Sequence, residues 1–131
     1  MLYNRQHLEH VHPDLKLIVQ YASEIMDIAL TAGHRTEKVQ NKLFERGFSK
    51  LEFPHSKHNS MPSLAVDLSP YPIKYTPERK NIVRHYMLAG IIRSAAKVYG
   101  LEIRWGGDFD GDFDFADQIW DDLYHFELIH E

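Results

Sequence analysis

The stretch SKHNSMPSLAVD, residues 56–67, decides the reading of this chain. It holds a histidine, a turn of small residues with Pro62, and then LAVD, a short apolar run of strand character that ends on a carboxylate. An apolar strand that delivers Asp67, with His58 nine positions upstream, has two readings. In one, Asp67 belongs to a solvated turn and His58 to the surface. In the other, the two side chains are ligands of one metal ion.

The neighbouring segments place this stretch in a fold. PDLKLIVQYASEIM (13–26) reads as a helix, because Pro13 suits a first turn, Asp14 suits its positive end, and Leu15, Ile18, Val19, Ala22, Ile25 and Met26 make one apolar stripe. DIALTAG (27–33) reads as a short buried strand stopped by Gly33. A second helix is expected from Thr36, as cap, through Arg46, with Val39, Leu43 and Phe44 inward and Gly47 as its stop. Residues 48–63 have no period and contain Pro54 and Pro62, which predicts a long loop. The strand SLAVDLS (63–69) and the turn-rich PYPIKY (70–75) lead to a long helix over about Pro77–Tyr99, with Ile82, Val83, Tyr86, Met87, Ile91, Ala95 and Val98 at helical spacing. LEIRW (101–105) and LYHFELI (123–129) are strands on either side of an acidic loop. Strands gathered into a small sheet with helices packed on it make an α+β domain, expected to span 1–131.

Composition excludes several classes. With 131 residues and a net charge of −4, the chain carries nothing to neutralise a phosphate backbone, so no nucleic-acid partner is expected. The absence of cysteine removes disulfides, thiolate zinc sites and cysteine nucleophiles. The start, MLYNRQHLEHVHPDL, lacks a basic stretch followed by an apolar run, so synthesis in the cytoplasm without a signal peptide is expected. No apolar run is long enough to insert into a membrane.

The nine histidines are the unusual count. His125, on the last strand, joins His58 and Asp67 as a polar group on or beside an apolar strand. Two imidazoles and a carboxylate, with a fourth position left for water, are a common catalytic zinc set. The H-x8-D spacing is not one of the short helical zinc signatures, and a core histidine bonded to backbone explains His125 equally on spacing alone. Asp122, three residues before His125, or Glu127, on the same strand face, supplies the carboxylate that metal-assisted hydrolysis needs as a base. HLEHVH (7–12) has ligand-like spacing but stands near a terminus expected to fray, and reads as solvated surface. His34, His55, His85 and His130 read as surface or cleft residues, and Tyr71, Trp105, Trp120 and Tyr124 mainly as core.

The acidic loop sets Asp108, Asp110, Asp112, Asp114 and Asp117 around Gly111. Alternating oxygen donors suit a calcium ion, though not as an EF-hand, because the twelfth position from Asp108 is Ile119. Acids that cap turns or face solvent, with Phe109, Phe113 and Phe115 in the core, are the other reading.

Taken together, GHRT (33–36), Gln40, SKH…AVD (56–67), RWGGD (104–108) and DLYHFEL (122–128) resemble the LAS-type zinc peptidases, named for lysostaphin, the D-Ala-D-Ala peptidases and sonic hedgehog. Within that group the resemblance is closest to the small phage endolysins of the L-alanyl-D-glutamate peptidase type, and it runs from about Val11 to Leu128. It implies a hedgehog/D-Ala-D-Ala-peptidase-like, antiparallel-rich sheet. It also implies zinc held by His58, Asp67 and His125, Asp122 as general base, and Arg35 on the substrate carbonyl or carboxylate. Gln40 and Ser56 would line the substrate cleft. The spacer of eight residues between His58 and Asp67 is longer than many members have, and reads as a loop insertion within NSMPSL. The aspartate base leans toward the endolysin branch.

The expectation is therefore a monomeric zinc endopeptidase acting on peptidoglycan stem peptides, at L-Ala–D-Glu, once released to the cell wall. A D,D-carboxypeptidase or dipeptidase is the alternative with the same chemistry, and a non-catalytic metal-binding module is the alternative without it.

Overall fold

The computed structural model describes residues 1–108 and 122–129. Its elements are β1 (Leu2–Tyr3), α1 (Pro13–Ser23), β2 (Ile28–Ala32), α2 (Glu37–Glu45), β3 (Ala65–Pro70), α3 (Arg79–Val98), β4 (Ile103–Trp105) and β5 (His125–Leu128), with short 3-10 helices at Arg5–Leu8 and Lys57–Asn59. The strands form one five-stranded sheet in the order β1-β2-β3-β5-β4. β1 runs parallel to β2, and the other neighbours pair antiparallel. This is the expected α+β, antiparallel-rich architecture.

Strand alternation sorts the sheet into two faces. Ile28 and Leu30, Val66 and Leu68, Ile103 and Trp105, and Phe126 and Leu128 all enter one core with Leu15 and Ile18 of α1 and Leu88 and Ile92 of α3. The residues between them on β3 and β5, Asp67, His125 and Glu127, are thereby turned to the other face. The β2–β3 register skips at Thr31, where Leu30 pairs with Leu68 but Ala32 pairs with Asp67. Such a bulge bends its strand and re-aims side chains, and here it lies beside the residue the site depends on.

The helices depart from the expected faces for physical reasons. α1 ends at Ser23, so Ile25 is exposed and only Met26 still packs on the core. α2 begins at the Thr36 cap as expected, with Val39 N–H donating to Thr36 Oγ1. Its expected apolar face is nevertheless outside: Val39 and Phe44 are exposed and Leu43 is half-buried. The buried residue of α2 is Gln40, and amide hydrogen bonds hold the helix where an apolar stripe was expected to.

On α3 the buried stripe is rotated from the expected one. Asn81, His85, Leu88, Ala89, Ile92, Ala95 and Ala96 face inward, whereas Val83, Met87 and Val98 face out. Alanines at the contact let α3 pack close to α1 and the sheet, and the buried Asn81 and His85 carry polar work described below. His85 is thus neither a surface nor a catalytic-cleft residue. The HLEHVH segment is ordered structure, with β1 paired to β2 before it and His12 capping α1 through Nδ1, which accepts Asp14 N–H. Trp105 is core as expected, Tyr71 is exposed and stacks on Tyr3, and Trp120 and His130 lie outside the described residues.

The rotation of α3 has a direct check. Leu88→Ala is expected to lower the unfolding free energy by about 2–5 kcal/mol, while the exposed Met87→Ala changes it by less than about 0.5 kcal/mol. Urea denaturation of the two variants separates the outcomes.

Candidate active site

Three elements bring the site together. His58 sits in the 3-10 turn Lys57–Asn59, Asp67 in the middle of β3, and His125 opposite Asp67 at the start of β5. His58 Nε2 lies 3.2 Å and His125 Nδ1 3.6 Å from Asp67 Oδ1. The ligand atoms of the three residues all lie within 4.8 Å of one another, and they form the one such cluster among the described residues.

Two observations test whether a metal ion fits. His58 Nε2 and Asp67 Oδ1 are buried and make no hydrogen bond, which is rare for buried polar atoms and expected for atoms that point at a cation. Each imidazole is also held from behind. His58 Nδ1 is 2.7 Å from the Gly33 carbonyl, which it can meet only as a donor, so Nε2 carries the lone pair. His125 Nε2 is 2.9 Å from Glu127 Oε1, which leaves Nδ1 to face the cluster. Donor sets backed by carbonyl and carboxylate partners in this way are usual for zinc, whose ligand atoms in a tetrahedral shell stand about 3.3 Å apart. The residues fit a zinc ion.

The electrostatics follow from this crowding. Burial alone would raise the Asp67 carboxyl, but His125, His58 and the Arg35 guanidinium hold it far below the usual carboxylate range. Arg35 Nη2 donates to Asp67 Oδ2 at 2.9 Å, so the arginine expected to meet substrate also anchors a ligand. Burial would lower the His125 imidazole, but Asp67 and Glu127 push it up to about 9. Glu127 is opposed by burial yet held below its ordinary value by His125, Arg104 and Lys57. Its carboxylate is thus engaged with His125 and Arg104.

Asp122 behaves differently. Its carboxyl is raised, first by burial and then by the negative charge of Asp67, against a smaller opposing effect of His125. It stands in the wall of a cleft of about 450 Å³ that also borders Arg35, His58, His125 and Glu127. Its backbone is gripped by Gly106, whose carbonyl accepts Asp122 N–H at 3.2 Å. A Cβ at Gly106 would come within 1.9 Å of the Asp122 carbonyl oxygen. Gly33 has the same role on the other side, since a Cβ there would come within 2.0 Å of the His7 carbonyl. The glycines of GHRT and RWGGD are close-approach positions.

The remaining expected residues divide. Ser56 lines the cleft, and its hydroxyl accepts His58 N–H at 3.2 Å. Gln40 stands behind the cleft wall, with no exposed surface, and donates to Ser49 Oγ and the Leu51 carbonyl. Asn59 donates to Gln40 Oε1 and to the Arg35 carbonyl, a link sequence reasoning missed for want of any spacing signal. The long spacer before Asp67 is anchored to the N-terminal segment, where Ser63 N–H donates to the His10 carbonyl and His12 N–H to the Ser63 carbonyl. Lys50, His55 and Lys57 border the cleft with Arg35, while His34, read from sequence as a surface or cleft residue, is not among its lining. Asp108 is buried and paired with Arg93 at 3.1 Å. Asp110, Asp112, Asp114 and Asp117 lie outside the described residues, so the calcium reading rests on sequence alone.

Comparison with known proteins agrees with this geometry. Residues 3–129 match the family described as phage L-alanyl-D-glutamate peptidase. The chain belongs to this family. It is 26% identical over 131 residues to the L-alanyl-D-glutamate peptidase of Escherichia phage T5, covering 96% of this chain and 94% of that protein. Its fold is shared with the L-Ala D-Glu endopeptidase ChiX of Serratia marcescens, at a TM-score of 0.72 and 23% identity over 98% of this chain and 90% of that one. A more distant fold likeness is to the vancomycin-resistance D,D-dipeptidase VanXYg, at a TM-score of 0.52 and 18% identity, covering 91% of this chain and 50% of that one.

Two predictions test the site. Asp67 and Glu127 favour the protonated form of His125, and a metal must displace that proton. Zinc affinity, measured against a competing chelator, should therefore rise about tenfold per pH unit and level off near the His125 value. An affinity flat between pH 6 and 8 would contradict the pairing of His125 with Asp67 and Glu127. Gly106→Ala should displace Asp122, cutting hydrolysis on the order of a hundredfold or more with zinc content unchanged.

Proposed function

We propose that this chain is a zinc-dependent peptidoglycan endopeptidase that hydrolyses the L-Ala–D-Glu bond of the stem peptide. It acts as a monomeric catalytic domain of the lysin type on the cell wall, after release from the cytoplasm. The carrying observation is the convergence of His58 Nε2, Asp67 Oδ1 and His125 Nδ1, the first two buried and without a hydrogen bond, at the cleft that Asp122 borders.

Held by His58, Asp67 and His125, zinc supplies Lewis acidity, polarising a carbonyl oxygen and easing the loss of a proton from water. Asp122 takes that proton as the water attacks the peptide carbonyl, and returns it to the departing amine. A base of this kind works best with its pKa near the working pH, and burial beside Asp67 moves Asp122 in that direction. Arg35 has five donor hydrogens, so its bond to Asp67 leaves others for the substrate carbonyl or a carboxylate. Glu127 and the Gly33 carbonyl keep the imidazoles aimed throughout. Lys50, Lys57 and Arg35 at the cleft suit the carboxylates that follow L-Ala in a stem peptide.

The reading predicts that Asp122→Asn keeps its zinc and its fold while kcat falls by about 10²–10⁴. Mass spectrometry of peptidoglycan after digestion tests the bond. Peptides that begin at D-Glu are expected, release of D-Ala alone would make the protein a carboxypeptidase, and zinc-loaded protein that yields no product would refute the proposal.

A further inference from the structure

A second pocket shares Asp122 with the catalytic cleft and has no part in the chemistry above. Its volume is about 460 Å³, and its walls include Tyr75, Asn81, His85, Asp122 and Tyr124. His85 enters the wall from α3 at 2% exposure, and its Nδ1 makes no hydrogen bond. A buried ring nitrogen in that state calls for a partner, and none of the described residues provides one. The Tyr124 ring meets His85 edge-on at 4.8 Å between centroids, and the exposed Tyr75 ring lies 6.2 Å from Tyr124.

The wall is built, not incidental. Asn81 Nδ2 donates to the carbonyls of Lys74 and Thr76 at 2.7 and 2.9 Å. Arg84 donates to Asn81 Oδ1 at 2.9 Å and to the Pro72 carbonyl at 2.8 Å. These bonds fasten the segment that carries Tyr75 to α3. Among the described lining residues Asp122 is the one carboxylate and there is no lysine or arginine, whereas Arg35, Lys50 and Lys57 border the catalytic cleft.

We infer that this pocket is the subsite for the amino-sugar end of the substrate, the N-acetylated, lactyl-bearing sugar to which the stem peptide is joined. The inference rests on the peptidoglycan reading and extends it. A stem peptide lying across Asp122 has two unlike ends. Beyond the scissile bond its residues carry carboxylates, which match the cationic cleft. Before that bond stand L-Ala and an uncharged sugar rich in hydroxyl and amide groups, which match a pocket of two tyrosine faces and one unsatisfied imidazole. Aromatic walls with a few convergent polar atoms are the usual makings of such a site. His85 Nδ1 meets a sugar hydroxyl or the N-acetyl group, and Tyr75 covers the ring from the solvent side.

The test compares two substrates of the zinc-loaded protein: a disaccharide-linked stem peptide, and the same peptide with an N-acetyl group in place of the sugar. The wild-type protein is expected to favour the disaccharide-peptide by at least about tenfold in kcat/KM, chiefly through KM. Tyr75→Ala and His85→Phe should bring the ratio of the two substrates close to one. Tyr75 is exposed, so its variant keeps the test valid even if the buried substitution unfolds the chain. Equal use of both substrates by the wild-type protein, or a ratio that survives Tyr75→Ala, overturns the sugar subsite and leaves the peptidase reading intact. Failure to cleave either substrate overturns the reading on which the subsite rests.

Discussion

Asp67 and His125 stand opposite each other in the β3–β5 ladder, and the rest of the site is arranged around that pair. In an antiparallel sheet a slip of one residue turns every side chain to the other face. Here a slip would expose Phe126 and Leu128, both at 1% exposure or less, and would drive His125 and Glu127 into the core. The hydrophobic effect on one face therefore enforces the register of the candidate ligands on the other. Burial of Val66, Leu68, Phe126 and Leu128 contributes stability and places the ligands at the same time.

The site's carboxylates illustrate how one small cluster assigns different tasks to like groups. Asp67 and Glu127 each face cations and imidazole, and both are held ionised. Asp122 is buried and stands near the charge of Asp67, and His125 offsets these only in part, so its proton is held more tightly. Groups whose environments push their affinities for protons apart are the ones suited to distinct acid–base roles. The division depends on which side chains already have partners. Glu127 is bound to His125, whereas the Asp122 carboxylate borders the cleft and accepts the Tyr124 N–H.

What the sequence makes legible here is local. Strand ends, the Thr36 cap, and the run from His58 to Asp67 all carry signals within a few residues, and the structure agrees with them. The chain of motifs in order also identified the fold, because several ligands and glycines had to agree at once. The faces of α2 and α3 were not legible, for opposite reasons. On α3 both faces carry large apolar residues, and small alanines, not bulk, decide which one packs. On α2 the anchor is an amide network at Gln40, and the apolar spacing of Val39, Leu43 and Phe44 marks the opposite, outer face. The parallel strand β1 is two residues long and has no pattern to read. His85 looked like any surface histidine because its burial depends on the rotation of α3.

His58, the first of the three candidate ligands, is held by means quite unlike those that hold Asp67 and His125. His58 comes from irregular chain, where no ladder sets its position, and hydrogen bonds take over that task. Ser56 accepts from His58 N–H, the His58 carbonyl accepts Arg35 N–H at 2.8 Å, and Gly33 receives the imidazole. Asn59 and Gln40 then tie this turn to α2 and to residues 49–51 of the cleft wall. A polar network of this kind is directional, so it sets an angle as well as a position, which apolar packing alone does not. It is also confined to the buried side of the loop. The side chains of Phe48 and His55 face the cleft outside the hydrogen bonds named above, and Leu51 takes part in them only through its backbone, so these side chains can vary without disturbing His58.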